Sequence, residues 1–255
     1  MAGRWFDLRP EEARPRLAAL GFGPEDTETL AAHFLDAEAR GQLGHGLSRI
    51  EWLETWEAVD TAARPRRVVA EPGYERWDGN GALGYLTLGA VVAAQLAAPP
   101  ERARLVVCSD TFPTGSLGYW VRKLADAGLV ALLTATSPRR LASPAGGEPL
   151  AGTNPLAIAV PSSDGRPVVA DVSMGAVTYG AVLAGHAQPE ELVPFGGPQA
   201  HKAFALAVGL QLVVDALSPA DGFGAVLLVA RPEADPVPAL RELAGVVRLP
   251  GDRSD

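Results

Sequence analysis

The chain has 255 residues, of which 47% are hydrophobic and 20% charged, enough apolar material for one large or two small packed domains. A formal net charge of -8 and a pI near 5.1, with no run of Lys or Arg, exclude the basic surface that a nucleic-acid partner requires. The single cysteine, Cys108, excludes an internal disulfide and fits a reducing, cytoplasmic setting.

The opening residues, MAGRWFDLRPEE, carry charge where an export signal has its apolar core, so no signal peptide is expected. Two helices are expected between 9 and 40, PEEARPRLAALG and PEDTETLAAHFLDAEARG, each with Pro and acidic residues near its start and Gly at its end. Leu30, Phe34 and Leu35 recur at helical spacing, with Leu20 and Phe22 placed to pack against them. A third helix runs from 47 to about 59, with Ile50, Leu53 and Trp56 as an apolar stripe of core type. Residues 64–70 and 71–77 read as a short strand pair, and 80–98 as a long Ala-rich helix. Tyr85, Thr87 and Gln95 interrupt the apolar window 81–98, which makes it a buried helix and not a membrane span.

A short strand at 104–107 opens into CSDTFPTGSLGYW, where Ser109, Asp110, Thr111 and Thr114 surround a proline and two glycines. A helix at 119–128 and a buried strand at 129–134 follow. Next, a GTNP turn (Gly152, Thr153, Asn154, Pro155) leads into the strand LAIAVP, a tight SSDGRP turn and the strand VVAD, which Asp171 ends. The small residues Ser173, Gly175 and Ala176 beyond it would admit a flat ligand close to the backbone. The same residues also suit an ordinary hairpin followed by a helix start, because Asp and Ser are good N-caps. A helix at 200–217, a strand at 223–229, a helix at 236–244 and an RLPG turn complete the chain. With about six strands and seven helices alternating irregularly, the expected class is α/β with a mixed, largely antiparallel, non-Rossmann sheet and a small helical N-terminal part, the boundary falling near 70–80.

Gly79 to Gly84, GNGALG, satisfies the glycine spacing of a dinucleotide fingerprint. It fails the context test on sequence, because PGYERWD before it is not a hydrophobic strand. No phosphate-loop motif, HExxH or cysteine pair occurs, and no metal site is expected. Of the four histidines, His33 reads as a helix residue, of the surface or of the core. His45 lies between two glycines, where its imidazole could enter a cleft and exchange a proton near neutral pH. Arg49, four residues on, could clamp a carboxylate through two parallel hydrogen bonds. A capping histidine beside a surface arginine is the plain alternative. Lys202 stands near a helix start after a glycine pair, suited to an anion or simply to solvent.

Six segments in order resemble the malate/L-lactate dehydrogenase-like superfamily, which also holds ureidoglycolate, sulfolactate, diketogulonate and cyclic-imine oxidoreductases. They are GHGLSRI (44–50), DGNGALGY (78–85), GLVALLTATSP (128–138), the GTNP hairpin with its Asp171 to Val177 exit, GGPQAHKAFAL (196–206) and RLPG (248–251). The resemblance implies an NAD(P)-dependent enzyme moving hydride to or from a small 2-hydroxy/2-oxo acid or cyclic imino acid. It implies His45 as proton donor or acceptor, Arg49 as substrate anchor, and Asp171 as a catalytic residue that lines the cofactor site or orients His45. The NAD or NADP site would be lined by Ser109, Asp110, Thr111, Gly115, Thr153, Asn154, Pro155, Asp171, Val172, Ser173, Met174 and Lys202. The sheet domain at 76–230 would bind the cofactor, residues 1–75 the substrate and a second subunit, and 231–255 would return to that first part. A homodimer is implied. The chain departs from the family in having Leu43 and Gly44 where an acid and a serine stand, in lacking a histidine in the 108–119 loop, where Asp110 or Pro113 replaces the ring, and in its short segment between 180 and 194. Those departures leave a second reading open, a non-redox or catalytically silent member acting as a binding or scaffold subunit.

Overall fold

The computed structural model describes residues 8–218 and 222–252; the first seven residues, on which the export-signal reading chiefly rests, lie outside them. A 3-10 turn at Pro10–Glu12 leads into three helices, α1 (Ala13–Ala19), α2 (Pro24–Ala39) and α3 (Ser48–Glu54). α2 starts as its sequence dictates, with Pro24 in the first turn, where no N–H partner is needed, and Glu25 and Asp26 at the positive end of the helix dipole. Leu17, Leu30, Phe34, Ile50 and Leu53 are at most 1% exposed and lock the three together. α3 is shorter than the stripe through Trp56 suggests. The Thr55 hydroxyl donates to the Trp52 carbonyl at 2.8 Å, competing with the next helical bond, and Trp56 packs on the core from the turn that follows.

The strands are β1 (Arg66–Glu71), β2 (Tyr74–Asp78), β3 (Ala103–Ser109), β4 (Val130–Ala135), β5 (Leu156–Val160), β6 (Val168–Val172) and β7 (Ala225–Ala230). They form one sheet in the order β1-β2-β3-β7-β4-β5-β6. Each neighbouring pair is antiparallel except β2 with β3. The long α4 (Gly84–Ala97) makes the crossover between those two, since a parallel connection must span the sheet. α4 begins later than expected because Asn80 and Gly81, at φ 52 and 81, form a turn first. The expected mixed, largely antiparallel sheet with a helical N-terminal part is present. The remaining helices are α5 (Leu117–Asp126), α6 (Tyr179–Leu183), α7 (Ala200–Leu217) and α8 (Val237–Ala244). The short α6 was not foreseen; Thr178 caps it, its hydroxyl accepting from Ala181 N–H at 3.1 Å.

β7 reads AVLLVA and takes the centre of the sheet, where both faces call for apolar side chains. One face carries α4 and α5, which bury Trp120, Leu124, Leu133, Leu227 and Val229 in the main core. α7 packs on the opposite face, with Val214 against Val107 and Val226. Beside it Tyr74, Leu105, Leu228, Leu132, Ile158 and Ala170 are register partners from strand to strand, an apolar row that stays partly exposed. At the C-terminal end Val169 N–H donates to the Pro250 carbonyl at 3.0 Å and Arg241 pairs with Asp164 and Asp252, so the RLPG turn lies against the β5–β6 hairpin.

Candidate active-site cleft

A cleft of about 860 Å³ opens between the helical part and the ends of β4, β5 and β6. On one side stand the 3-10 turn Leu43–His45 and the start of α3; on the other, the exits of β4 and β6 and the GTNP turn. Tyr85 and the loop from Phe112 to Ser116 form its floor, and α6 closes over it. α6 and the His45 turn meet backbone to backbone. A Cβ on Gly44 would stand 2.7 Å from Ala181 N, which gives the missing family serine a steric reason.

His45 and Arg49 both face this cleft. The Arg49 side chain is 8% exposed; its Nε donates to the Gly44 carbonyl at 2.7 Å, its guanidinium lies 5.2 Å from the Trp52 ring centre, and no carboxylate is ion-paired with it among the described residues. Burial depresses its pKa, but a guanidinium keeps its proton, so a nearly buried positive charge faces the cleft uncompensated. His45 is half-buried. Desolvation by the cleft walls, then the Arg49 charge, holds its pKa well below the ordinary value, so the ring is a neutral base at pH 7. Burial pushes the Tyr85 phenol up to about 12, which keeps it a neutral donor.

Asp171 lines the cleft but does not hydrogen-bond His45. Its Oδ2 accepts from Gly118 N–H at 2.7 Å and from the Ser116 hydroxyl at 3.0 Å, at the N-terminus of α5. Gly115, Thr153, Pro155 and Ser173 also line the cleft, and the hydroxyls of Thr153 and Ser173 form a polar strip with Ser137. The other expected cofactor contacts lie elsewhere. Asn154 is fully buried, its amide donating to the Ala207 carbonyl and to Gln211, both at 3.0 Å, which ties the GTNP turn to α7. Thr111 is fully buried and bonded to Phe223 and Ser109. Met174 packs in a small core cluster with Leu141 and Ala207, Val172 points away, and Lys202 is exposed on α7. Ser109 bonds to the Trp77 carbonyl, and Asp110 is exposed outside the cleft. Of the two loop residues weighed as standing in for a histidine, Pro113 lines the cleft, with Phe112, and Asp110 does not.

The GNGALG segment needs a correction. β2 precedes it, α4 follows and β3 is parallel to β2, so the strand–turn–helix context that the sequence hid is present. The strand expected at 71–77 is β2; it is half polar, YERWD, which is why it does not read as the hydrophobic strand of a fingerprint, and its Glu75 is buried and bonded to Trp77 and Gln95. The chain itself fills the anion position: Gly81 N–H donates to the Asp110 carboxylate at 2.6 Å, and Cβ atoms on Gly79 or Gly84 would strike the backbone at Asp110 or Phe112. The glycines serve close packing.

Sequence reasoning missed Arg140 and Tyr179. Both line the cleft, with the Arg140 guanidinium 3.5 Å from the Tyr179 ring centre. The signal available was a pair of arginines directly after TSP, in a loop whose one other charged residue is Glu148.

The cleft thus brings together a buried guanidinium with no carboxylate ion-paired to it among the described residues, a neutral imidazole and a strip of hydroxyls. The chain belongs to the malate/L-lactate dehydrogenase family, whose model matches residues 11–197; the resemblance read from the motifs is borne out. The (2R)-3-sulfolactate dehydrogenase (NADP(+)) of Chromohalobacter salexigens is 31% identical over 196 residues, covering 73% of this chain and 59% of that protein. The malate dehydrogenase of Pyrococcus horikoshii is 29% identical over 169 residues, 64% of this chain and 46% of that one. The chain thus spans roughly half of the curated relatives' length. The crystal structure of delta1-piperideine-2-carboxylate reductase from Pseudomonas syringae pv. tomato matches the fold with a TM-score of 0.81 at 23% identity, over 96% of this chain and 89% of that one.

Proposed function

We propose that this protein is an NAD(P)-dependent oxidoreductase acting on a small 2-hydroxy/2-oxo acid or cyclic imino acid. The observation that carries the reading is Arg49, a nearly buried cation without a counter-ion, in one cleft with the neutral base His45. The relatives' names support it: sulfolactate and malate dehydrogenases and pyrroline-carboxylate reductases are all named for acids. The scaffold reading draws no support from them. Arg49 would hold the substrate carboxylate by a bidentate pair. His45 would take the hydroxyl proton in oxidation, or return one to the oxygen or imine nitrogen in reduction. A carboxylate on Arg49 would offset the smaller, electrostatic part of the depression of the imidazole's pKa, while desolvation, the larger cause, remains. Trp52, Phe112 and Leu183 line the cleft and would supply an apolar wall beside the reacting centre. Ser137, Thr153 and Ser173 fit the ribose and amide groups of a nicotinamide cofactor, which when bound supplies or takes the hydride. We further infer a cytoplasmic homodimer without nucleic-acid or membrane partners, supported by the acidic surface charge, the buried thiol of Cys108 and the uncovered apolar face beside α7.

The test is titration with NADH and NADPH followed by nicotinamide fluorescence, then turnover with 2-oxo acids and cyclic imines. His45→Ala should abolish turnover and leave cofactor affinity largely intact. Absence of nicotinamide binding at millimolar concentration would sink the reading.

A further inference from the structure

We propose that the cleft grips its ligand at two anionic groups, one on Arg49 and the second on Arg140, so that the preferred ligand carries a second carboxylate, sulfonate or phosphate. The inference rests on the functional reading above and deepens it.

Arg140 is held at its base. Its N–H donates to the Ala151 carbonyl at 2.9 Å, and the adjacent Leu141 forms a β-bridge with Ala151. From that anchor the side chain enters the cleft and stacks on Tyr179. Its Nε is buried with no hydrogen-bond partner, and no carboxylate is ion-paired with it among the described residues. The neighbouring Arg139 behaves differently, turning outward to reach Asp215 at 4.0 Å. Arg49 packs against Gly180, next in sequence to Tyr179, so the two guanidiniums converge on adjacent residues of α6. The acid that lines the cleft, Asp171, is committed to Ser116 and Gly118. A protein of net charge -8 therefore directs two unpaired cations into one partly desolvated space. Their mutual repulsion is relieved by a doubly anionic ligand and only half relieved by a single carboxylate. A stacked guanidinium keeps its edge N–H groups for planar, two-point recognition of such a group.

The second anion can come from the substrate, as a second acidic group, or from the cofactor, as the phosphate that separates NADPH from NADH. Two ligand pairs distinguish them: oxaloacetate against pyruvate, and NADPH against NADH, with binding read from tryptophan fluorescence and thermal shift and without turnover. The wild-type protein should prefer the more anionic member of one pair by about tenfold or more, and Arg140→Leu should erase that preference while the other ligand's affinity stays within about twofold. Loss in the first pair assigns the site to substrate, loss in the second to cofactor phosphate. Arg140→Lys, which keeps the charge without the fork, should retain part of the preference and serves if the leucine variant does not fold. Equal weakening of all four ligands, or an unchanged preference, would overturn the proposal. A protein that binds oxaloacetate through Arg140 but no nicotinamide would refute hydride transfer and leave this inference standing.

Discussion

Arg49 lays its guanidinium in the space that a side chain at Gly180 would occupy. Arg49, the proposed substrate anchor, and the helix that roofs the cleft are thus fitted to each other through a missing methyl group. Gly180→Ala must displace either Arg49 or α6. We expect a stability loss of about 1–3 kcal/mol from overpacking, with weakened 2-oxo acid binding and nearly unchanged nicotinamide affinity. Thermal denaturation and the two titrations check it; an alanine variant that binds the acid normally would show that Arg49 does not depend on this contact.

Asp171 is expected to act mainly through structure. Its carboxylate receives Gly118 N–H at the positive end of α5, and burial raises its pKa while those hydrogen bonds lower it. Asp171→Asn should cost about 1–2 kcal/mol of stability and leave turnover within about tenfold of wild type. A collapse of turnover at unchanged melting temperature would instead make it a catalytic residue.

His33 gives the protein an acid sensitivity. It is fully buried among Tyr85, Tyr119 and Trp120, its Nε2 accepts Ser116 N–H at 3.1 Å, and desolvation first of all lowers its pKa from 6.5 to about 3. Below pH 6.5 the unfolded chain takes up a proton that the folded one refuses. Stability conferred by this group is therefore complete above pH 6.5 and declines as pH falls toward 3, by up to about 1.4 kcal/mol per unit. Urea unfolding at pH 5 and 7 should show the slope, and His33→Gln should reduce it, the remainder coming from the likewise depressed His45; an identical slope in the variant would place the sensitivity elsewhere.

α7 should mediate pairing with a second copy. Leu206 is 51% exposed and Leu212 62%, and the outward stripe Ala205, Leu206, Gly209, Leu212, Val213 reads nearly the same in both directions from Gly209. A Cβ on Gly209 would meet nothing within the chain, so no internal contact explains a glycine that weakens the helix. A two-fold axis at that point lets two α7 helices cross closely, each presenting the same patch. With the helix about 27 Å long and the adjoining sheet row about 24 Å wide, the face approaches the ~800 Å² per partner of a stable interface. The segment 197–217 is also long and apolar enough to cross a membrane by length and composition. Sedimentation should show a dimer that Leu212→Glu converts to monomer. A wild-type monomer at all concentrations would refute the pairing, and binding to liposomes would assign the face to lipid.

The sequence by itself determined the elements whose local signals agree. Pro24 and its acidic neighbours start α2, the LAIAVP and VVAD runs make β5 and β6, and α7 keeps the expected bounds. It also determined the pairing of His45 with Arg49, because residues four apart across a turn and a helix start cannot be far separated. Tertiary structure decided what depends on neighbours distant in the chain. Half-polar β2, legible as a strand, takes its place parallel to β3 and can bury Glu75 only because Gln95 and Trp77 satisfy that carboxylate. Asn154 and Met174 turn inward because α7 lies behind the GTNP turn, and Asp171 is drawn to α5 because that helix begins beside the end of β6. The convergence of Arg140 and Arg49 on α6 had no local signature, since burial and unpaired charge are properties of a three-dimensional surrounding and not of spacing along the chain.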